Sequence, residues 1–440
     1  MSAAAVWRGL YSALWRLAAP WLWLRIWRRA RREPAYGAFP FERFGRYRRE
    51  ATVPSYDGYR AAPVWVHAVS LGETRAAQPL IQALLDRGLT VLLTHMTATG
   101  RTEGARLFEQ AIAQGRLRQA WLPYDLPGAV RRFFRHFTPR CGLLIETEVW
   151  PNLIFAAHWH AVPMALVSAR LSASSARKAL YLKSLARAAY GGLDLVLAQT
   201  AADAARLAEV GARAPQVVGN LKFDLGLPPE QLRAGRDWRA ALGRPVVVLA
   251  STREGEEEML LAAIARRPPA GPGPVPLVIL VPRHPQRFDD VAALLKASGL
   301  RTVRRSTLAG WSAAELPSDT QVLLGDSLGE MPFYYSTADV SVVGGSFAPL
   351  GGQNLIEAAA CGSPVIVGPH TFNFAQASED AIAAGAARRA ADAAHAWQLA
   401  LELLADDGRR EAMRAAAAAF TATHTGATRR VMLAIGNWIK

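Results

Sequence analysis

Four places in the chain put polar or small residues where an apolar run stops, and each could do chemistry. The first is His67-Ala-Val-Ser-Leu-Gly-Glu73-Thr-Arg75, after the run Val64 to Val69. A carboxylate there can take a proton from an attacking hydroxyl. Ser70-x-x-Glu73 is also the spacing of a capping box, in which Glu73 merely bonds back to the Ser70 amide. A helix N-terminus favours the anion, so Glu73 is a useful base only if it is desolvated. The second is Leu143-Leu-Ile-Glu146-Thr-Glu148-Val-Trp150-Pro-Asn152. If the strand continues, Glu146 and Glu148 share a face, and like charges push their pKa values apart to give an acid beside a base. The alternative is that one of them caps a helix starting at Pro151.

The third is Val278-Ile-Leu-Val-Pro-Arg283-His284-Pro-Gln-Arg287. The planar donors of Arg283 suit a phosphate, unless this is simply a solvated basic loop. The fourth is Val343-Gly-Gly-Ser346-Phe-Ala-Pro-Leu-Gly351-Gly352-Gln353-Asn354-Leu-Ile-Glu357. Small residues let a backbone approach a ligand, and a following helix N-terminus favours its phosphate. Asn354 and Glu357 can hold ribose hydroxyls, although Asn354-x-x-Glu357 has capping spacing too. This loop fits neither G-x-G-x-x-G nor the Walker pattern, which argues against an ordinary dehydrogenase or P-loop ATPase. The nine histidines form no His-Glu-x-x-His, and His158 and His160 would point to different sides of a helix, so no metal site is expected.

These residues need strands that end where they begin. Short apolar runs alternate with helical stretches from about residue 62, which predicts βαβ units and parallel sheets. Strands are expected at Val64 to Val69, Leu89 to Thr94, Cys141 to Ile145, Val162 to Val167, Leu193 to Ala198 and Val217 to Gly219. A second series runs through Val246 to Ala250, Leu277 to Val281, Gln321 to Leu324, Val340 to Val343 and Val365 to Val367. Helices are expected at Arg75 to Asp86, Thr102 to Gln114, Ala201 to Val210, Glu256 to Ala265, Phe288 to Ser298, Asn354 to Cys361 and, Ala-rich, Asp392 to Thr421. The division is thus a segment 1–50, an α/β domain 51–225, a linker 226–245 with Pro228 and Pro229, an α/β domain 246–421, and a C-terminal tail or helix 422–440. In open parallel sheets, ligands collect at the carboxyl ends of strands, where all four constellations lie.

Composition narrows the class. A chain of 440 residues, 51% hydrophobic, can fill more than one core, and its two cysteines, Cys141 and Cys361, give no disulfide framework and favour a reducing compartment. The net charge is +15, of which eleven Arg against three Glu in residues 1–50 supply +8. That segment also holds Trp7, Trp15, Trp21, Trp23 and Trp27, an interfacial composition. Arg8, Arg16 and Arg25 divide it into uncharged stretches of seven and eight residues, short of the ~18 of a spanning helix. The following Arg28, Arg29, Arg31 and Arg32 would attract anionic head groups on the cytoplasmic side. Membrane association is expected; a helix packed on its own domain is the alternative.

Taken together the segments resemble the 3-deoxy-D-manno-octulosonic acid (Kdo) transferase family of lipopolysaccharide biosynthesis. The likeness includes Ser70-Leu-Gly-Glu73, Leu122-Pro-Tyr-Asp-Leu-Pro127, Glu146-Thr-Glu-Val-Trp-Pro-Asn-Leu153, Ala169-Arg-Leu-Ser172, Gly219-Asn-Leu-Lys-Phe-Asp224, Ser251-Thr-Arg-Glu-Gly-Glu256, Val281-Pro-Arg-His-Pro285, Gly325-Asp-Ser-Leu-Gly-Glu330 and Gly368-Pro-His-Thr-Phe-Asn-Phe374. The resemblance implies an α/β, GT-B fold, two Rossmann-like domains facing each other across a cleft, with an N-terminal membrane-associated helix. It implies an inverting, metal-independent transfer of Kdo from CMP-Kdo to a lipid A precursor at the cytoplasmic face of the inner membrane, with no cofactor and no nucleic acid partner. By motif, Glu73 falls on the general base and Glu146 on a second essential carboxylate. Pro282, Arg283, Leu328, Gly329, Glu330, Asn354, Leu355, Ile356 and Glu357 fall on CMP-binding segments. Gln353 stands where His is common in such sequences, and Leu355-Ile356 where Pro-Leu is frequent. Another sugar-nucleotide transferase of the same fold, or a basic membrane-peripheral or nucleic-acid-binding protein without catalysis, are the competing readings.

Overall fold

Two parallel seven-stranded sheets organise the computed structural model, which describes residues 3–31, 33–48, 62–224, 226–266 and 275–440. The chain divides into unit 1, Met1–Leu225 with Thr425–Lys440, and unit 2, Gly226–His424. Unit 1 holds β1 (Val64–His67), β2 (Val91–His95), β3 (Leu117–Trp121), β4 (Cys141–Ile145), β5 (Met164–Ala169), β6 (Leu195–Ala198) and β7 (Gln216–Val217), in the order β3-β2-β1-β4-β5-β6-β7. Unit 2 holds β8 (Val246–Thr252), β9 (Leu277–Pro282), β10 (Thr302–Arg304), β11 (Val322–Leu324), β12 (Val340–Val343), β13 (Val365–Val367) and β14 (Ala387–Arg389), ordered β10-β11-β9-β8-β12-β13-β14.

The alternation of side chains makes both faces of the first sheet apolar. Val64 and Val66 join the cluster containing Leu80, Leu84 and Leu93, while Trp65 between them joins the opposite one with Leu92, Phe133 and Leu144. A sheet covered by helices on both faces has to read as continuous apolar runs, and the central strands do. The strand order reverses between β1 and β4 in unit 1 and between β8 and β12 in unit 2. At such a switch point the loops leave in opposite directions and open a crevice beyond the strand ends. Glu73 follows β1, Glu146 follows β4, Glu256 follows β8 and the Gly-rich loop follows β12.

Several expectations are corrected. The expected linker contains the helix Pro229–Leu242, which buries Trp238 against Phe333 in unit 2. The expected tail or helix 422–440 divides between the units: Thr425–Lys440 belongs to unit 1, where a helix, Ala427–Ala434, supplies Val431 and Met432 to the first core. Residues 3–31 and 33–48 also pack into unit 1 instead of standing apart. The Ala-rich stretch is two helices, Ala393–Ala405 and Asp407–His424, and Thr102 to Gln114 splits into parts of Ala98–Leu107 and Glu109–Ala113. β3, β10 and β14 were not expected. Arg32 and the boundary residues 49–51 and 225 lie outside the described residues.

Candidate active site

In unit 1, β1 runs out at His67 and Ser70, in extended conformation, caps helix α2 (Leu71–Asp86) by accepting the Glu73 N–H at 3.4 Å. Glu73 reaches back, but Oε2 takes the N–H of Val69 at 2.7 Å rather than that of Ser70, and Oε1 takes the Ser70 hydroxyl at 3.3 Å. The capping spacing is therefore realised, with the bond moved one residue upstream. Those bonds favour the anion; burial opposes them, Glu146 and Glu148 add negative potential, and the carboxyl is pushed up to about 7. The desolvation that a working base requires is present. His67 and His95, buried at the ends of β1 and β2, are pushed down to about 4 and about 3 by burial, so neither carries charge near neutrality.

Glu146 does not continue β4. Its backbone is left-handed, φ 63°, an uncommon conformation for a residue with a Cβ and one found where the surroundings overdetermine it. Its N–H donates to Val167 O (3.0 Å) and its carbonyl accepts from the Arg170 N–H (3.2 Å). The buried carboxylate lies between Arg170 Nε at 2.7 Å and Lys222 Nζ at 2.8 Å. These cations outweigh its burial and hold it below the usual carboxylate range. Glu148 accepts from Trp150 Nε1 at 2.8 Å, and burial raises it above that range. The two acids do differ, but through two cations and burial rather than a shared strand face. Neither caps the helix Pro151–Trp159: Asp125 does, accepting the N–H groups of Asn152 (2.9 Å) and Leu153 (2.8 Å).

The partners of Glu146 come from beyond β5 (Arg170) and beyond β7 (Lys222). Ser168, at φ 52°, marks a register shift between β5 and β6, and its hydroxyl donates to Asn220 Oδ1 at 3.4 Å. Asn220 Oδ1 in turn accepts the Lys222 N–H at 2.9 Å, fixing the turn that carries the lysine.

Unit 2 collects its polar groups at the ends of β11, β9, β8 and β12, four neighbours in the sheet. Ser251 (φ 56°) interrupts the register of β8 with β9. Glu256, wholly buried, then accepts the N–H groups of Arg253 (2.9 Å), Gly345 (2.6 Å) and Phe347 (2.8 Å), tying the Gly-rich loop to the β8 exit. Pro282 closes β9 and Arg283 follows, its N–H on Thr252 O at 2.9 Å and its Nε on Gln353 Oε1 at 3.1 Å. The residue that departs from the family pattern thus orients the guanidinium while its other donors stay exposed.

The helix after this loop is Ile356–Ala360, shorter than Asn354 to Cys361: Asn354 Oδ1 accepts the Ile356 N–H at 3.1 Å and stands outside it. Five residues carry little macrodipole. Leu355 and Ile356 are buried, so they can offer a ligand backbone alone, and Glu357 is half-buried. After β11, Leu328 is exposed and Gly329 adopts φ 81°. The Glu330 carboxylate is occupied by Arg305 (2.8 Å), Trp311 Nε1 (2.7 Å), Tyr334 (3.2 Å) and the Ser327 hydroxyl, which makes it a brace of that loop. Arg170, Lys222 and Glu256 were not singled out from sequence as site residues; their motifs were visible, their partnerships were not.

The family model described as 3-deoxy-D-manno-octulosonic-acid transferase (kdotransferase) matches residues 40–225. A 3-deoxy-D-manno-octulosonic acid transferase of Bordetella pertussis is 60% identical over 434 residues, 98% of this chain and 99% of that one. That of Haemophilus influenzae is 35% identical over 84% of each chain. A solved glycosyltransferase from Rickettsia africae, 13% identical, covers 87% of this chain and 100% of its own with a TM-score of 0.57, a likeness of fold. The two parallel α/β units are of the GT-B class.

Proposed function

The chain belongs to the 3-deoxy-D-manno-octulosonic acid transferase family and is a glycosyltransferase, and from that premise we propose that it moves Kdo from CMP-Kdo to a hydroxyl of a lipid A precursor with inversion and without a metal. The acceptor hydroxyl gives its proton to Glu73 as its oxygen forms a bond to the anomeric carbon of Kdo, and the bond from that carbon to the CMP phosphate breaks. A base must be unprotonated yet basic enough to accept, which near neutrality means a pKa close to 7. The observation that carries the proposal is the Glu73 carboxyl set at the β1 exit, held by the Val69 N–H at 2.7 Å and the Ser70 hydroxyl at 3.3 Å, where burial pushes it up to about 7.

CMP leaves as an anion and needs positive potential. Arg283, oriented by Gln353, and the backbone of the Gly345–Gly352 loop are the groups of unit 2 suited to supply it. In unit 1, Glu146 holds Arg170, which follows β5, and Lys222, which follows β7, where they offer cations to an acidic sugar or a phosphorylated acceptor. Attachment to the cytoplasmic face of the inner membrane is proposed for helix α1 (Ala3–Ala30). One of its faces packs into unit 1 through Leu22 and Ile26, while Leu10, Leu14, Leu17, Trp21 and Trp27 stay exposed. Among the described residues no helix is long and apolar enough to cross a membrane.

The deciding measurement is the product mass after chelator-treated protein is incubated with CMP-Kdo and a lipid A precursor. Mass gain by one or more Kdo residues is expected. No gain, or a gain with a different nucleotide sugar alone, overturns the proposal.

A further inference from the structure

Apart from the strand-end groups, unit 1 carries a cleft of about 580 Å³ where α1 meets the helices Pro151–Trp159 and Lys183–Tyr190. Glu73, Glu146, Arg170 and Lys222 are not on its wall. Its walls are of two kinds. Ile154, Phe155 and Leu185 make an apolar side, and Arg8, Arg187 and Arg213 a cationic one. None of these three arginines forms an ion pair among the described residues, and the carboxylate of the wall, Asp194, is turned to the Met164 N–H at 2.8 Å. Arg8 lies 3.3 Å from the centroid of the Phe155 ring, and its partial burial lowers its pKa, so this cation is already partly stripped of water. Three cations beside an apolar wall complement a molecule that is anionic at one end and hydrocarbon at the other. Exposed apolar side chains stand on or beside the helices that form it: Trp7 and Leu10 on α1, Trp159 at the end of Pro151–Trp159, and Tyr181 with Leu182 just before Lys183–Tyr190.

We propose that this cleft holds one anionic glycerophospholipid of the membrane, its phosphate on Arg8, Arg187 and Arg213 and its proximal acyl chain along Ile154, Phe155 and Leu185. This rests on the reading of α1 as a membrane-surface helix and adds a stoichiometric site to it. A bound lipid would cover the seam between α1 and the rest of unit 1.

The test uses the full chain in dodecyl maltoside with phosphatidylglycerol, read by native mass spectrometry, and vesicle sedimentation is measured separately. One retained phosphatidylglycerol per chain is expected, with phosphatidylcholine and inorganic phosphate failing to displace it. Arg187 and Arg213 are exposed, so Arg187→Gln/Arg213→Gln should fold normally and retain the lipid about tenfold less or worse. The charge-matched pair Arg266→Gln/Arg409→Gln on unit 2 should retain it as wild type does. Retention by the wild type and not by the cleft variant supports the site whether or not the protein sediments with vesicles, so failure of the membrane reading is seen independently. Equal retention by the cleft variant, no retained lipid in the wild type, or stoichiometric displacement by the lipid A precursor would overturn it.

Discussion

At Glu73 a helix N-terminus and two hydrogen bonds pull toward the anion, while burial and two neighbouring carboxylates pull toward the acid. The second set wins, by enough to place the group near 7. The activity should therefore fall as pH drops below about 7 and level off above it, because the base must be unprotonated. Glu73→Gln preserves shape and most of the cap, so we expect CMP binding to persist while turnover falls about 10² to 10⁴ fold and the acidic limb disappears. Near-normal turnover would leave Glu73 as a cap alone. Stability carries the same signature. A carboxyl raised on folding contributes stability below its unfolded pKa and loses it as pH rises through the folded one, here from about 4.5 to about 7. The thermal stability of Glu73→Gln relative to wild type should accordingly rise across that window; a pH-independent difference contradicts the burial argument. Glu146 behaves oppositely, as an anion made permanent by cations. Lys222→Met should cost roughly 2 kcal/mol, because it leaves the buried carboxylate only the half-exposed Arg170, and Arg170→Met under about 1 kcal/mol, both readable by urea denaturation. The place of Glu73 was legible in the sequence because Ser70-x-x-Glu73 is a capping spacing at a strand exit, and the structure shows that cap. Arg170 and Lys222 were not, since they stand 24 and 76 residues from the carboxylate they share and no local spacing announces such a pair.

Elements were legible in proportion to how completely they are buried. The central strands are apolar on both faces and stand out as runs, whereas β3, β10 and β14 are edge strands and carry Arg118, Arg304, Arg388 and Arg389. The helix Pro229–Leu242 was hidden by the prolines at its start, which serve a first helical turn as well as they serve a linker. The Gly-rich loop after β12 was visible, but what holds it is a carboxylate almost ninety residues earlier, Glu256, and a close approach of backbones. A Cβ on Gly368 would come within 2.3 Å of Ser346 O, with backbone rather than a flexible chain in the way. Gly368→Ala should consequently displace the loop and weaken CMP binding about tenfold or more, whereas Gly329→Ala, strained at φ 81° but with nothing within 4 Å, should cost only about 1 kcal/mol of stability. Titration calorimetry with CMP, beside thermal melts, separates the two. Unchanged affinity in Gly368→Ala would remove this loop from the donor site.

Across the whole chain, the ends return to unit 1. Asp224 receives the N–H groups of Gly426 (2.6 Å) and Thr428, so the strand-end turn that carries Lys222 is also where the C-terminal segment docks. The alternative to a membrane-associated segment, a helix packed on its own domain, is realised on one face of α1. Ser12 donates to Asn152 Oδ1 at 3.1 Å, Trp15 stacks 6.0 Å from Tyr124, and Leu22 and Ile26 are buried with Tyr36 and Trp121. Two aliphatic side chains of that kind are worth about 1.5 to 3 kcal/mol each, a large part of the roughly 5 to 15 kcal/mol that keeps a domain folded. Deleting residues 1–33 should therefore lower the melting temperature of unit 1 markedly, and loss of vesicle binding by the truncated protein would not by itself identify an anchor. The outer face can be tested without touching the inner one, because Leu14, Leu17 and Trp21 are 66%, 79% and 58% exposed. Leu14→Ser/Leu17→Ser/Trp21→Ser should melt within a few degrees of wild type, retain turnover on a short-chain, detergent-dispersed acceptor, and partition onto anionic vesicles about tenfold less or worse. If that variant sediments with vesicles as the wild type does, the membrane contact is made elsewhere and α1 is a structural helix of unit 1.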